Sequence, residues 1–218
     1  MAAKCLSAIR LCVIRVTKLN ADGSPAAGPN NAYVSNSPIT LNVTPEIEAG
    51  EDRTLRSGCG CVVATSKGDD SLKRFTFELD LAKIEPGLLA LLIGADQISS
   101  GADPIGVWWK GQLTCDSPAV NPVALEGWQT AWDGAGPAAS PNRYIHWLWT
   151  YTRWQIGPLT LQDDFFQPRV TGFSLANNAY THIWGDLPSG TTPGPLGGFF
   201  YSDSIPTAQC GPLSQPIT

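Results

Sequence analysis

The 218-residue chain is 43% hydrophobic and only 15% charged, with 22 glycines, 18 prolines, eight tryptophans and one methionine. Apolar content at this level excludes a disordered chain, and the length suits one large domain or two small ones. A formal charge of -5 argues against a protein whose main task is gripping nucleic acid, because phosphate neutralisation needs a basic face.

Lys4, Arg10 and Arg15 are scattered among the apolar residues of the first stretch, so no secretory signal is expected there. Residues 10–18 are dense in β-branched side chains and read as a strand. Residues 20–38 are polar and rich in Asn, Gly, Pro and Ala. They outrun the usual connection in a compact domain and read as a projecting loop. Ile39, Leu41 and Val43 alternate with Thr40, Asn42 and Thr44, the period of a half-buried strand. An acidic segment, 46–52, follows. Residues 61–66 and 72–81 then flank Lys67-Gly-Asp-Asp-Ser71, turn chemistry that predicts an antiparallel hairpin. Its second arm puts Phe75, Phe77, Leu79 and Leu81 on one face, a pattern that fixes register.

A helix is predicted over 86–93, or 85–94 with its caps. Pro86 suits the first helical position, Gly94 a left-handed end, and Ile84 and Leu89 have the spacing of a hydrophobic staple. Leucines wrap most of its circumference, so it must pack on a sheet. Residues 105–115 and 144–154 read as Trp-rich strands, 127–141 as a Gly/Ala/Pro-rich loop, and 170–175 with 179–184 as a last strand pair. The expected organisation is a β domain over 1–184, with a Trp-rich second half over 105–184. A Pro/Gly-rich extended arm follows over 185–218. The longest apolar run, 87–95, is far too short to span a bilayer.

Chemistry is hard to find. No nucleophile elbow, Walker loop, EF-hand or dinucleotide fingerprint is present. His146 and His182 sit in aromatic strands without a partner at ligand spacing. Asp163 and Asp164 are adjacent and would point to opposite faces of a strand. No enzyme activity, cofactor or metal is therefore expected. Cys5, Cys12, Cys59, Cys61, Cys115 and Cys210 lack paired zinc-ligand spacing and read as reduced, structural thiols. The tryptophans read as core or subunit interface. The alternative from another class is a carbohydrate-binding module that stacks sugars on Trp.

The order of segments then becomes specific. Arg15-Val-Thr-Lys-Leu-Asn20 runs into Asp22-Gly-Ser-Pro25 and Gly28-Pro-Asn-Asn-Ala-Tyr-Val34. Val43-Thr-Pro-Glu-Ile-Glu-Ala-Gly-Glu-Asp52, Ser57-Gly-Cys-Gly-Cys61 and Gly68-Asp-Asp-Ser-Leu-Lys-Arg-Phe75 come next. Glu85-Pro-Gly-Leu-Leu-Ala-Leu-Leu-Ile-Gly94 and the terminal Pro206-Thr-Ala-Gln-Cys-Gly-Pro212 complete the set. The series resembles the major tail (tail-tube) proteins of long-tailed bacteriophages infecting actinobacteria, over roughly residues 5 to 95 and more loosely beyond.

That resemblance implies a β-sandwich or half-barrel with one flanking helix, long loops and an extended C-terminal arm. It implies a virion subunit that joins copies of itself into hexameric rings stacked as a tube. DNA would pass through the lumen without specific binding. Tape-measure, tail-terminator and tail-tip proteins would be its partners, and no membrane is involved. A minor tail, baseplate or head–tail connector role is the alternative within such particles. On this reading Asn20, Asp22, Pro25, Gly28, Asn31 and Tyr33 belong to a loop contacting the next ring. Glu46, Glu48, Glu51 and Asp52 are the candidates for an acidic lumen.

Overall fold

The computed structural model describes residues 6–26, 28, 31–101, 103–109, 122–134, 136–139, 142–159, 167–180, 196–206 and 211–212. Its strands are β1 (Ser7–Lys18), β2 (Ala32–Ser35), β3 (Pro38–Glu48), β4 (Asp52–Arg56), β5 (Val62–Lys67) and β6 (Ser71–Leu81). Helix α1 (Pro86–Ile93) follows. The second half supplies β7 (Asp96–Ser100), β8 (Asp103–Trp108), β9 (Val123–Trp132), β10 (Tyr144–Ile156), β11 (Arg169–Ser174), β12 (Gly198–Ser202) and β13 (Gly211–Pro212). The architecture is mainly β, and its strand pairs are antiparallel.

One sheet runs β13-β2-β1-β9-β10-β11-β6-β3, with β12 also paired to β10. Strand β10 changes partners along its length: Tyr144 to Leu148 face β12, and Thr152 to Ile156 face β11. The sheet curls, so that β1 comes back against β3 although four strands separate them in the sheet. Its inner face gathers Ile14, Val16, Leu79, Leu125, Val170 and the aromatic centre. There Phe77 lies edge-on to Trp149 at 5.1 Å and stacked on Trp154 at 5.5 Å.

The helix closes part of this core. Leu88, Leu89 and Leu92 are buried, Pro86 opens the helix, and Gly94 ends it at φ 65°, a conformation that glycine adopts without strain. Ile84 is 57% exposed, so most of the expected staple residue lies in solvent. What anchors the entry instead is Glu85, whose buried carboxylate accepts hydrogen bonds from the Ser35 and Ser37 hydroxyls. That trio ties the start of α1 to the end of β2.

Four expectations are corrected. The hairpin predicted around residues 67–71 does not form: β5 pairs with β4, and β6 pairs with β3 and β11. The stretch read as a loop over 127–141 instead contains most of the central strand β9, between β1 and β10. Residues 20–38 are not one loop, because Ala32–Ser35 is a buried strand on β1. The Pro/Gly-rich end is drawn back into the sheet, as β12 on β10 and β13 on β2. Of the strand predicted over 179–184, Ala179 and Tyr180 are not in a strand, and 181–184 lie outside the described residues. Strand β6 alternates as expected, Phe77, Leu79 and Leu81 inward.

Asp80 shows how the last three strands are held in register. Its carboxylate accepts two bonds from Arg169 of β11, at 2.7 and 3.0 Å, and one from Thr40 of β3 at 3.0 Å. These bonds, Arg169 first, hold its pKa below the ordinary value. A lowered folded pKa stabilises the fold above the unfolded value of about 3.9, and that contribution is lost as pH falls through the folded value. The urea midpoint of Asp80→Asn should therefore lie below wild type by a constant gap above about pH 5 and converge with it in stronger acid. Phe77→Ala, which empties the aromatic centre, should lower unfolding free energy by about 3–5 kcal/mol in the same titrations.

Candidate functional site

Among the described residues the most exposed feature is a ribbon. Strands β3 and β6 pair from Pro38/Leu81 to Glu48/Ser71, and β4 and β5 continue outward from Asp52/Lys67 to Arg56/Val62. Every residue from Glu51 to Lys73 is exposed. At the joint the two backbones nearly touch: a Cβ on Gly50 would sit 2.0 Å from the Gly68 carbonyl oxygen. Only glycine fits there. The Gly68 amide donates to the Glu51 carbonyl at 3.1 Å, and the Gly50 amide donates to Asp70 at 3.0 Å.

The arm carries apolar side chains into water. Leu55, Val62 and Val63 are 63%, 52% and 62% exposed, and Ile47 and Leu72 at its root, paired across the strands, are also exposed. A two-stranded ribbon with no core is marginal on its own in water. Its tip is a tight turn, with the Ser57 amide donating to the Cys61 carbonyl and the Gly60 amide to the Ser57 carbonyl, each at 2.8 Å. Cys59 and Cys61 stand exposed and free there, and Cys12 is free and half-buried. The reading of the cysteines as buried structural thiols fails at the tip. Cys5, Cys115 and Cys210 lie outside the described residues.

The second feature is a groove of about 670 Å³ where the curled sheet stops short of closing. Ile9 and Leu11 of β1, Leu41 of β3, Phe75 of β6 and Trp147 of β10 line it, with Phe199 of β12. Strand β3 is the last strand of the sheet, and its apolar alternation, read from sequence as half-buried, faces this groove with Ile39 44% and Val43 36% exposed. Trp147 is stacked with Trp149 at 6.1 Å and lies 5.0 Å from Phe199, and its indole nitrogen donates to Gln129 at 2.7 Å. With both neighbours aromatic, this ring is not an open platform for a sugar.

The residues expected in a projecting loop are held against the body. Asp22 accepts from the Ser24 amide and hydroxyl, at 2.9 and 2.6 Å, bonds that lower its pKa. Asn20 donates to Ser24 at 3.0 Å, and Pro25 bridges to Leu19. Asn177 ties this turn down by donating to the Gly23 carbonyl at 2.9 Å. Gly28 is half-buried, Asn31 accepts from the Lys18 amide, and Tyr33 is buried with its ring against Gly87 of α1.

The acidic candidates do not share one acidic patch. Glu46 lies opposite Arg74 and is salt-bridged to it and to Lys73. The Arg74 hydrogen bond is the main reason its pKa is lowered. Glu51 pairs with Arg53, Asp52 lies across from Lys67, and Glu48 is exposed at the end of β3. The outer arm, residues 51–73, carries four acidic and four basic side chains and is neutral.

One cluster was not anticipated. Arg15 and Glu126 are buried, directly opposed on β1 and β9, and joined by a salt bridge. The Tyr180 hydroxyl donates to Glu126 at 3.1 Å, and burial followed by the Glu126 charge pushes its pKa well up. His146, read from sequence as a strand-face residue, is fully buried 3.7 Å from Glu126, stacked on Trp128 and edge-on to Phe200. The assembly ties β9 to β1, and His146 packs against Phe200 of β12, the strand paired with β10. His182 and the Asp163–Asp164 pair lie outside the described residues. Among the described residues no group of three His, Cys, Asp or Glu side chains lies close enough to hold a metal.

Compared with known protein families and with curated proteins, the chain matches none.

Glu126→Gln should leave the Arg15 charge buried without its counterion and destabilise the fold by about 3–5 kcal/mol. The check is the urea midpoint at neutral pH, with Glu51→Gln on the solvent-exposed pair as the control that stays within about 0.5 kcal/mol of wild type.

Proposed function

We infer that the chain is a structural subunit that assembles with copies of itself, in the manner of a phage tail-tube protein. The observation that carries this reading is the ribbon of β3 to β6, whose outer half buries nothing within the chain. An ordered two-stranded extension with exposed Leu55, Val62 and Val63 gains its stability when a partner covers it. The open flank of β3 supports the same reading. A long edge strand with apolar side chains is a hazard to a monomer and an interface to an oligomer. Pro38, Pro45, Glu46 and Glu48 temper that edge without removing it.

In this reading the copies meet head to tail, which closes into a ring when the rotation closes. Rings then stack into a tube of tail-tube type, the finer form of the β fold described above. DNA passes through the lumen during ejection without specific contacts, in keeping with the chain's negative charge. Tape-measure, tail-terminator and tail-tip proteins would be its partners in the virion. The sequence order over roughly residues 5 to 95 is the second support. The carbohydrate-binding alternative gains no support from Trp147, whose ring is flanked by Trp149 and Phe199.

Replacing residues 52–67 by a short turn between Glu51 and Gly68 removes the arm and no buried side chain. The shortened chain should unfold at the wild-type urea midpoint yet form no rings or tubes, read by light scattering and negative-stain microscopy at rising concentration. Tubes formed by the shortened chain would remove the arm from the assembly, and a strictly monomeric wild type would overturn the reading.

A further inference from the structure

The two thiols at the tip of the arm form no disulfide within one copy. Cys59 and Cys61 are exposed and free, at the outermost turn of a ribbon whose residues 51–73 are all in solvent. They flank Gly60, which has φ 81°, and a Cβ added at Gly58 or Gly60 would meet nothing within 4 Å. The turn is thus uncrowded, and both cysteines are exposed on it.

Resting on the self-assembly reading, we propose that the tips of neighbouring copies are joined by disulfides, Cys59 of one copy to Cys61 of the next. The number of thiols is what points to a chain of bonds. One thiol per tip could link copies only in pairs. Two distinct thiols let each copy bond to both neighbours, and a head-to-tail contact repeated around a closed ring brings unlike residues together at every junction. The bonds would also fix a ribbon that has no core of its own.

The chemistry is ordinary thiol–disulfide exchange. A small-molecule disulfide of the oxidised-glutathione class is the oxidant. The Cys59 thiolate attacks one of its sulfurs, forming a mixed disulfide and releasing one small thiol. The Cys61 thiolate of the neighbouring copy then attacks the Cys59 sulfur, forming the S–S bond and releasing the second small thiol. Two protein thiols have lost two electrons, the small disulfide has gained them, and the two protons end on the released thiols. In a reducing cytosol the tips stay open while subunits assemble, and the bonds form once the particle meets oxidising surroundings.

The test assembles an equal mixture of ¹⁴N- and ¹⁵N-labelled full-length chain under reductant, exchanges it into oxidised glutathione, and examines it by microscopy and by non-reducing electrophoresis. The expected result is a ladder extending well beyond dimer. Its tryptic digest should contain copies of peptide 57–67 joined into chains of two or more, with half of the two-peptide species carrying mixed isotopes. Cys59→Ser and Cys61→Ser should each abolish the ladder, because each removes one side of every bond, while leaving tubes visible. Tubes whose chains stay monomeric on the gel would overturn the tip bond and leave the tube reading standing. So would an internal Cys59–Cys61 disulfide within one peptide, a ladder that stops at dimer, or one that survives Cys59→Ser/Cys61→Ser. A mixed-isotope ladder without rings or tubes would support the tip bond and overturn the tube reading, and the absence of both would overturn both.

Discussion

The structure turns on a sheet that curls without closing. Strand β1 returns to the side of β3, but no ladder joins them, and the apolar groove between them is the consequence. Curling lets a single sheet wrap its own core around Phe77, Trp149 and Trp154, with Leu88, Leu89 and Leu92 of α1 packed into that core. Stopping short leaves Ile9, Val43 and Phe199 in contact with solvent. The same geometry that gathers the core thus leaves apolar surface exposed.

Two kinds of charge pairing serve different ends. Arg15 and Glu126 are sealed between β1 and β9 with Tyr180 and His146 around them, so neither charge can be removed alone without leaving the other buried. Such a pair specifies which strands are neighbours. The pairs of Glu46 with Arg74 and Glu51 with Arg53 are partly or wholly in water, where ion pairs contribute little to stability. Across residues 51–73 the acidic and basic side chains are equal in number.

Local signals in the sequence were legible where the cause is local. Pro86, the leucines and Gly94 define α1 to the residue, and the alternation through Phe77, Leu79 and Leu81 describes β6 as it stands. Strand β9 was hidden because its alternation is spoiled by Gly127, which lies against Leu11, and by a buried Glu126 that reads as a surface residue. Its glutamate makes sense only beside Arg15, 111 residues away. The arm was misread for a related reason. The residues around Gly68 have turn composition, yet here they form the joint at which the ribbon continues past Gly50.

The sequence alone determined that the chain is mainly β, where its helix lies and which face of β6 is buried, because periodicity and capping act over a few residues. Only the tertiary structure decided which strands pair, that β12 and β13 return to the sheet, and that residues 51–73 rather than 20–38 stand out from the body. Strand pairing is set by contacts far apart in sequence, and a stretch projects when the rest of the chain leaves no surface to bury it. Neither condition is written in any one segment.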